Sequence, residues 1–131
     1  MRSGIILAFI LITALYSCQK KDKITATPDS VVINITSPAS GQAYHTGDTV
    51  FINADVSYPS ELHGYEIKVI DTASGYILYD DVQHVHDDHF SISDKWLCSG
   101  TQAIGLKLTL TAAIDHDGNN AEKDITFQYQ P

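Results

Sequence analysis

Residues 106–114 alternate between apolar and polar side chains, and this run sets the pattern for the rest of the chain. On a pleated strand a period of two places alternate residues on one face, so the pattern predicts a strand with one buried face. The alternation resumes at 125–129, after a turn that contains Asp117-Gly118, a dipeptide typical of β-hairpins. We therefore predict that the two runs form the central hairpin of a β-sandwich. The side chains expected to be buried are Leu106, Leu108, Leu110, Ala112 and Ile114, followed by Ile125, Phe127 and Tyr129.

Shorter stretches with the same alternation predict further strands, separated by Gly-, Pro- and Asp-rich turns. We expect a turn at 57–60, a short edge segment at 42–46, and a helical turn at 94–97 that places Trp96 beneath the sandwich. About seven short strands in roughly 100 residues are typical of an all-β, two-sheet Greek-key sandwich. The remaining predicted strands are 31–36, 49–56, 64–70, 76–80 and 90–92.

The N-terminus has the pattern of an export signal. Arg2 precedes an almost wholly apolar run at 5–15, which is shorter than the roughly 20 residues that a membrane-spanning helix needs. Leu15-Tyr16-Ser17-Cys18 resembles the lipobox of bacterial lipoproteins, which implies that Cys18 is lipidated and becomes the first mature residue. The alternative is an ordinary signal peptide that is cleaved nearby.

This interpretation divides the chain into three parts. Residues 1–17 are predicted to be a lipoprotein signal peptide, 18–30 the lipidated cysteine with a flexible polar tether, and 31–131 the β-sandwich domain. Lipid chains contribute about 0.8 kcal/mol per buried methylene, so two or three of them would hold the domain on a membrane without spanning it.

The charge of the domain narrows its range of partners. The whole chain carries a net charge of −8, and residues 31–131 have four basic and fourteen acidic side chains, which is −10. Such a surface repels phosphate backbones, and no basic patch interleaved with aromatic residues is present in the sequence, so we expect no nucleic-acid binding. Cations are the electrostatically favoured ligands.

A succession of short motifs resembles a known group of domains. In order, these are Ile35-Thr36-Ser37-Pro38, Gly41, Gly47-Asp48-Thr49-Val50, Leu62 with Tyr65-Glu66-Ile67, and Ala113-Ile114-Asp115-His116-Asp117-Gly118-Asn119. They resemble the bacterial immunoglobulin-like domains on secreted and lipid-anchored proteins of Gram-negative bacteria, and in particular small one-domain lipoproteins of undefined activity. The resemblance implies an immunoglobulin-like fold and a place in the cell envelope, anchored to the outer membrane and facing either the periplasm or the surface.

The densest group of candidate ligands is His84, His86 and His89, beside Asp87 and Asp88. On a strand, His84 and His86 share a face with Cα atoms about 6.6 Å apart, so both imidazoles could reach one zinc or copper ion. His89 has the opposite parity and joins only if the chain bends at the two aspartates. The most plausible remote partner is His63. The alternative is a polar inter-strand loop with solvated histidines.

The turn at 115–119 presents oxygen-bearing side chains at alternate positions, namely Asp115, Asp117 and Asn119. This arrangement resembles the start of a calcium loop, but the twelfth position is Thr126 rather than a carboxylate, which excludes an EF-hand. A calcium-type turn therefore stands beside the simpler interpretation as a hairpin turn.

No nucleophile with a base at a recognisable spacing is present in the sequence, so we expect a protein without enzymatic activity and without a required cofactor. Cys98 follows Trp96-Leu97 and is expected to be a buried thiol. The sequence thus predicts a lipid-anchored binding, adhesion or accessory module that recognises a protein or glycan of the envelope. The alternative is a zinc- or copper-binding lipoprotein that uses the histidine cluster.

Overall fold

Eight strands form two sheets that pack face to face in the computed structural model, which describes residues 27–131. A short 3₁₀ helix at Pro28–Ser30 precedes the first strand. The strands are β1 (Val32–Ser37), β2 (Ala43–His45), β3 (Thr49–Leu62), β4 (Gly64–Asp71), β5 (Ile77–Gln83), β6 (Asp87–Leu97), β7 (Ile104–Ala113) and β8 (Asn120–Gln130).

The strand order confirms the predicted immunoglobulin-like sandwich. One sheet has the order β1-β3-β6 and the other the order β2-β8-β7-β4-β5. The pairs are antiparallel except for the short β2, which lies parallel to β8. The chain crosses between the sheets after β1, β2, β3, β5 and β6, which gives the Greek-key connection. The hairpin of β7 and β8 lies at the centre of the five-stranded sheet, as the alternation predicted.

The core follows the period-two pattern of the long strands. On β7, Leu106, Leu108, Leu110 and Ala112 are buried, while the side chains between them are partly exposed. Burying one such leucine contributes about 1.5–3 kcal/mol. The opposite sheet supplies its own alternating face, which completes the apolar layer between the sheets. The buried residues of β3 are Val50, Ile52, Ala54, Val56, Tyr58 and Leu62.

The predicted turn at 57–60 is wrong, because β3 continues through Pro59 to Leu62. Its register with β6 shifts between Ser57 and Leu62, so Pro59 lies where the ladder is interrupted and its missing N–H is not needed. Tyr58 and Leu62 remain buried on either side of the irregularity. Tertiary pairing thus overrides the local turn signal.

The predicted helical turn at 94–97 is also wrong, because β6 runs to Leu97. Trp96 lies opposite Val50, and Leu97 lies opposite Thr49. The extended strand β3 offers backbone partners along this whole segment, and these pairs are formed instead of a local turn. The Trp96 side chain is half-buried and packs against the core.

Two contacts close one side of the sandwich, where β5 and β6 are edge strands. The hydroxyl of Tyr79 donates a hydrogen bond of 2.5 Å to Oδ2 of Asp94, and the rings of Tyr65 and Phe90 stack with centroids 5.4 Å apart. In both pairs one residue belongs to the five-stranded sheet and the other to the three-stranded sheet. Burial and the Asp94 carboxylate raise the pKa of Tyr79 well above its ordinary value.

The predicted signal peptide, Cys18 and the predicted tether up to residue 26 lie outside the described residues. Within 27–131 the structure contains no helix long and apolar enough to cross a membrane.

Candidate functional site

Three connections between strands meet at one end of the sandwich and bring four histidines together. His63 links β3 to β4, His84 and His86 lie between β5 and β6, and His116 lies in the β7–β8 turn. The ring centroids are 5.0 Å apart for His63 and His86, 4.4 Å for His63 and His116, and 5.2 Å for His84 and His86. We call these four residues the histidine cluster.

His63 is held at the centre of this end by its backbone. Its N–H donates a 2.8 Å hydrogen bond to the carbonyl of Ala113 on β7, and the next residue, Gly64, pairs with Ala113 in the sheet. Gly64 has φ +142°, and a Cβ on it would lie 2.3 Å from the carbonyl oxygen of Gln83. Only glycine therefore allows β4 and β5 to approach this closely beside His63.

The side chain of His63 has an unusual environment. Its Nδ1 atom is buried, and it has no hydrogen-bond partner among residues 27–131. Buried polar atoms in native proteins are nearly always paired with a protein group, a water molecule or an ion. Nδ1 of His63 therefore marks a position where a ligand atom would satisfy the site.

His86 is paired with a carboxylate that belongs to a different strand. Its Nδ1 lies 3.2 Å from Oε1 of Glu61, near the end of β3. Glu61, His63 and His86 each offer a ligand atom, and these three atoms all lie within 4.8 Å of one another. An imidazole pair with one carboxylate is a combination that binds zinc and copper.

A cleft of about 260 Å³ opens beside the histidine cluster. His63 belongs both to the group of three and to the wall of the cleft, so the two features are continuous. The polar walls of the cleft come from the five-stranded sheet, its adjoining connections and the β7–β8 turn. They include His63, His84, His116, Glu66, Asp115 and Asn120.

The structure brings together three of the four histidines predicted as metal ligands, but not the fourth. His89 lies on β6 opposite Ser57 and is exposed. The next residue, Phe90, lies opposite the buried Val56 and so faces the core. Because successive residues of a strand point to opposite faces, His89 points to the outer face of the sheet. His84 and His86 do not share the face of a strand as predicted, because β5 ends at Gln83 and both lie in the connection to β6.

Two residues of this end were not found by sequence reasoning. Glu61 lies two residues before His63, so an extended chain places both on one side, but the turn predicted at 57–60 leaves no strand there. His116 lies in a turn about 50 residues from His63 in sequence, and only strand pairing brings their rings together. The pattern Glu-x-His was the one local signal available.

The carboxylate of Asp115 is occupied by its own turn. Its Oδ1 accepts hydrogen bonds from the backbone N–H groups of Asp117 and Asn119, and its Oδ2 accepts one of 2.6 Å from Nδ2 of Asn119. The side-chain bond from Asn119 is the largest cause that lowers the pKa of Asp115. This is the hydrogen bonding of an aspartate that stabilises a hairpin turn.

Cys98 is fully buried, and its thiol has a raised pKa, mainly because of burial and then because of the charge of Asp48. Its backbone pairs with Gly47 and Asp48 near β2. It therefore serves as a small apolar residue of the core, as expected from its sequence context.

No protein-family model and no curated protein matches the chain. Among solved structures, it is similar to the fibronectin(III)-like modules of CbhA from Clostridium thermocellum, with 18% identity, a TM-score of 0.49, and 75% of this chain and 94% of that chain covered. It is also similar to a CARDB domain of Pyrococcus furiosus solved in complex with di-metal ions, with 10% identity, a TM-score of 0.44, and coverage of 77% and 94%.

Proposed function

We propose that this chain is a lipid-anchored module of the bacterial cell envelope that binds its ligand through the end of the sandwich that carries the histidine cluster. The observation that carries the proposal is the convergence of three inter-strand connections around one cleft. Loops at one end of an immunoglobulin-like sandwich are a common location for binding residues, because the sheets hold them in fixed positions.

The chemistry of the cleft favours a polar or cationic ligand. Its walls carry the carboxylates of Glu66, which is paired with Lys68, and of Asp115, which is held by its own turn. The negative charge that attracts a cation therefore comes mainly from the strongly acidic domain as a whole. A protein or glycan of the envelope with hydrogen-bond donors or positive charge fits these walls, whereas nucleic acid does not. The surroundings offer no nucleophile paired with a base, so we propose binding rather than catalysis.

Membrane anchoring is proposed from the sequence around Cys18, which resembles a lipobox. Metabolic labelling with radioactive palmitate tests it directly in a bacterium that processes lipoproteins. We expect label and membrane fractionation in the wild type and in Cys98→Ser, and loss of both in Cys18→Ser. Equal labelling of Cys18→Ser and the wild type would contradict the anchor.

The binding end is tested by capture of ligands from envelope extracts on the purified protein. A lysine at Asn120 would project a long cationic side chain at the cleft, whereas a lysine at Gln130 lies at the far end of the same strand. We expect capture to be lost with Asn120→Lys and retained with Gln130→Lys. Capture that survives Asn120→Lys would show that another surface binds.

A further inference from the structure

We infer that Glu61, His63 and His86 form a binding site for a divalent transition-metal ion, zinc or copper(II). This inference deepens the proposed function, because it rests on the same binding end and names a ligand for it. Neither the lipid anchor nor a macromolecular partner is needed for an ion to bind there.

The spacing of the donor atoms is the first argument. Zinc–nitrogen bonds of about 2.1 Å in a tetrahedral site place ligand atoms about 3.4 Å apart. The three candidate atoms already lie within 4.8 Å of one another, and Oε1 of Glu61 is 3.2 Å from Nδ1 of His86. Glu61 and His86 are half-exposed, so their side chains have room to rotate towards an ion held at His63.

The positions of the His63 and His86 rings also favour a shared metal ion. Two imidazoles that share a tetrahedral ion have ring centres about 5 Å apart, since each ring centre lies about 3 Å from the metal. The centroids of His63 and His86 are 5.0 Å apart, with their planes at 89°. The two rings are therefore already spaced as ligands of one ion.

The buried Nδ1 of His63 is the second and independent argument. The contact between Glu61 and His86 satisfies the hydrogen-bonding atoms of those two side chains that face each other. It leaves Nδ1 of His63 without a partner among the described residues. An unsatisfied buried polar atom costs about 1–3 kcal/mol. A metal ion bound directly to Nδ1 removes that cost, whereas an ion on the other ring nitrogen would leave a buried N–H without an acceptor.

The nature of the donors selects the metal. Imidazole suits zinc and copper, whereas calcium and magnesium need six or more oxygen ligands. The nearby turn does not supply free oxygens, because the Asp115 carboxylate already accepts three hydrogen bonds. The net negative charge of the domain raises the local concentration of any cation, and nitrogen donors then discriminate among them.

The remaining two histidines flank the ion, because neither belongs to the group whose donor atoms all lie within 4.8 Å of one another. The ring of His116 is 4.4 Å from that of His63, and the ring of His84 is 5.2 Å from that of His86. Three protein ligands leave a fourth position for water, as in open zinc sites. Because His63 also lines the cleft, a ligand in the cleft lies next to this position.

The test is a calorimetric titration: the metal-free full chain in detergent is titrated with zinc and, separately, with copper(II). We expect one ion per chain with a micromolar or tighter Kd, and no comparable binding of magnesium. Because removal of even an indirect contact typically weakens metal binding 10–100-fold, His63→Gln and His86→Gln should weaken it by more than about 100-fold and Glu61→Gln by at least about tenfold. The matched control His89→Gln should bind as the wild type does, since His89 is exposed on another face.

A second measurement needs no variant and so does not depend on how a variant folds. In spectra of the histidine side chains, zinc should shift the ring nitrogens of His63 and His86, while those of His45 and His89 stay in place. Equal binding by the wild type and the double variant His63→Gln/His86→Gln, or ring shifts confined to His45 and His89, would overturn the inference. Either result would leave the conclusions of the palmitate-labelling and capture experiments unchanged. Failure of those two experiments would likewise leave the conclusion of the metal titration unchanged.

Discussion

Nδ1 of His86 lies 3.2 Å from Oε1 of Glu61, although 25 residues separate them in the chain. Glu61 belongs to the three-stranded sheet, and His86 to the connection that leaves the five-stranded sheet through β5. The contact therefore joins the two layers of the sandwich at the end where His63 also lies. A ligand that binds all three residues restrains both layers together.

We therefore expect zinc to stabilise the folded domain. A ligand at 100 times its Kd adds about 2.7 kcal/mol to the free energy of unfolding, which corresponds to a rise in Tm of roughly 10 °C for a domain of this size. Thermal unfolding followed by circular dichroism measures the shift. His86→Gln should abolish most of it, and magnesium should produce none. A shift of the same size in His86→Gln would contradict the linkage.

Gly64→Ala should destabilise the domain by about 2 kcal/mol or more. The added Cβ would lie 2.3 Å from the carbonyl oxygen of Gln83, in a backbone conformation with φ +142° that non-glycine residues rarely adopt. Urea unfolding measures the change. Gly75→Ala is the matched control, because Gly75 also has positive φ but nothing lies within 4 Å of an added Cβ. Equal losses in the two variants would show that strain at φ, rather than the approach of β5, is responsible.

Tyr79→Phe should lower the free energy of unfolding by about 1–2 kcal/mol, because it removes the hydrogen bond to Asp94 and leaves a half-buried carboxylate without that donor. Chemical denaturation of the wild type and the variant gives the difference. Tyr76→Phe provides the control, since the side chain of Tyr76 is 72% exposed. If the two variants lose the same stability, the hydrogen bond from Tyr79 to Asp94 contributes nothing to the free energy of unfolding.

Asn119→Ala should raise the pKa of Asp115 towards its ordinary value, since the side chain of Asn119 is the largest cause of its lowering. A lowered pKa in the folded state means that the carboxylate stabilises the fold above the pKa of the unfolded chain. That contribution is lost as the pH falls through the folded pKa. The variant should therefore lose less stability than the wild type as the pH falls through the ordinary aspartate pKa of 3.8 and below it.

Titration of the Asp115 carboxyl by NMR, together with unfolding at each pH, checks this prediction. Asn120→Ala is the control, because its side chain donates to the carbonyl of Gly118 and not to Asp115. An unchanged pKa of Asp115 in Asn119→Ala would be inconsistent with the turn described above.

Local sequence patterns predicted the strands that have one buried face. The alternation of 106–114 placed Leu106, Leu108 and Leu110 in the core, and that of 49–56 placed Val50 and Ile52 there, as the structure confirms. The two errors, at 57–60 and 94–97, both fall where local turn signals compete with the pairing of β3 with β6. Backbone pairing with a strand about 40 residues away in sequence stabilises the extended conformation more than the local turn signals stabilise a turn.

The candidate site was predictable only in part. The spacing of His84 and His86 and the proposal of His63 as a remote partner identified three members of the cluster. Glu61 comes from the end of β3 and His116 from the β7–β8 turn, and their relative positions depend on the crossing from β3 to β4 and on the pairing of β4 with β7. His89, close to His86 in sequence, points to the outer face of β6 instead.

By itself the sequence determined which face of β7 and of the first part of β3 is buried, because successive residues of a strand point to opposite faces whatever its neighbours are. It did not determine how deeply each residue is buried, since Ile125, expected in the core, is only half-buried. It also determined the acidic charge of the domain, which depends on composition alone. The tertiary structure decided which histidines meet, because His86 is brought to Glu61 and His63 by strand pairing and sheet crossing rather than by spacing along the chain. Contacts between residues distant in sequence follow from which strands become neighbours, and the alternation within one strand does not specify its partner.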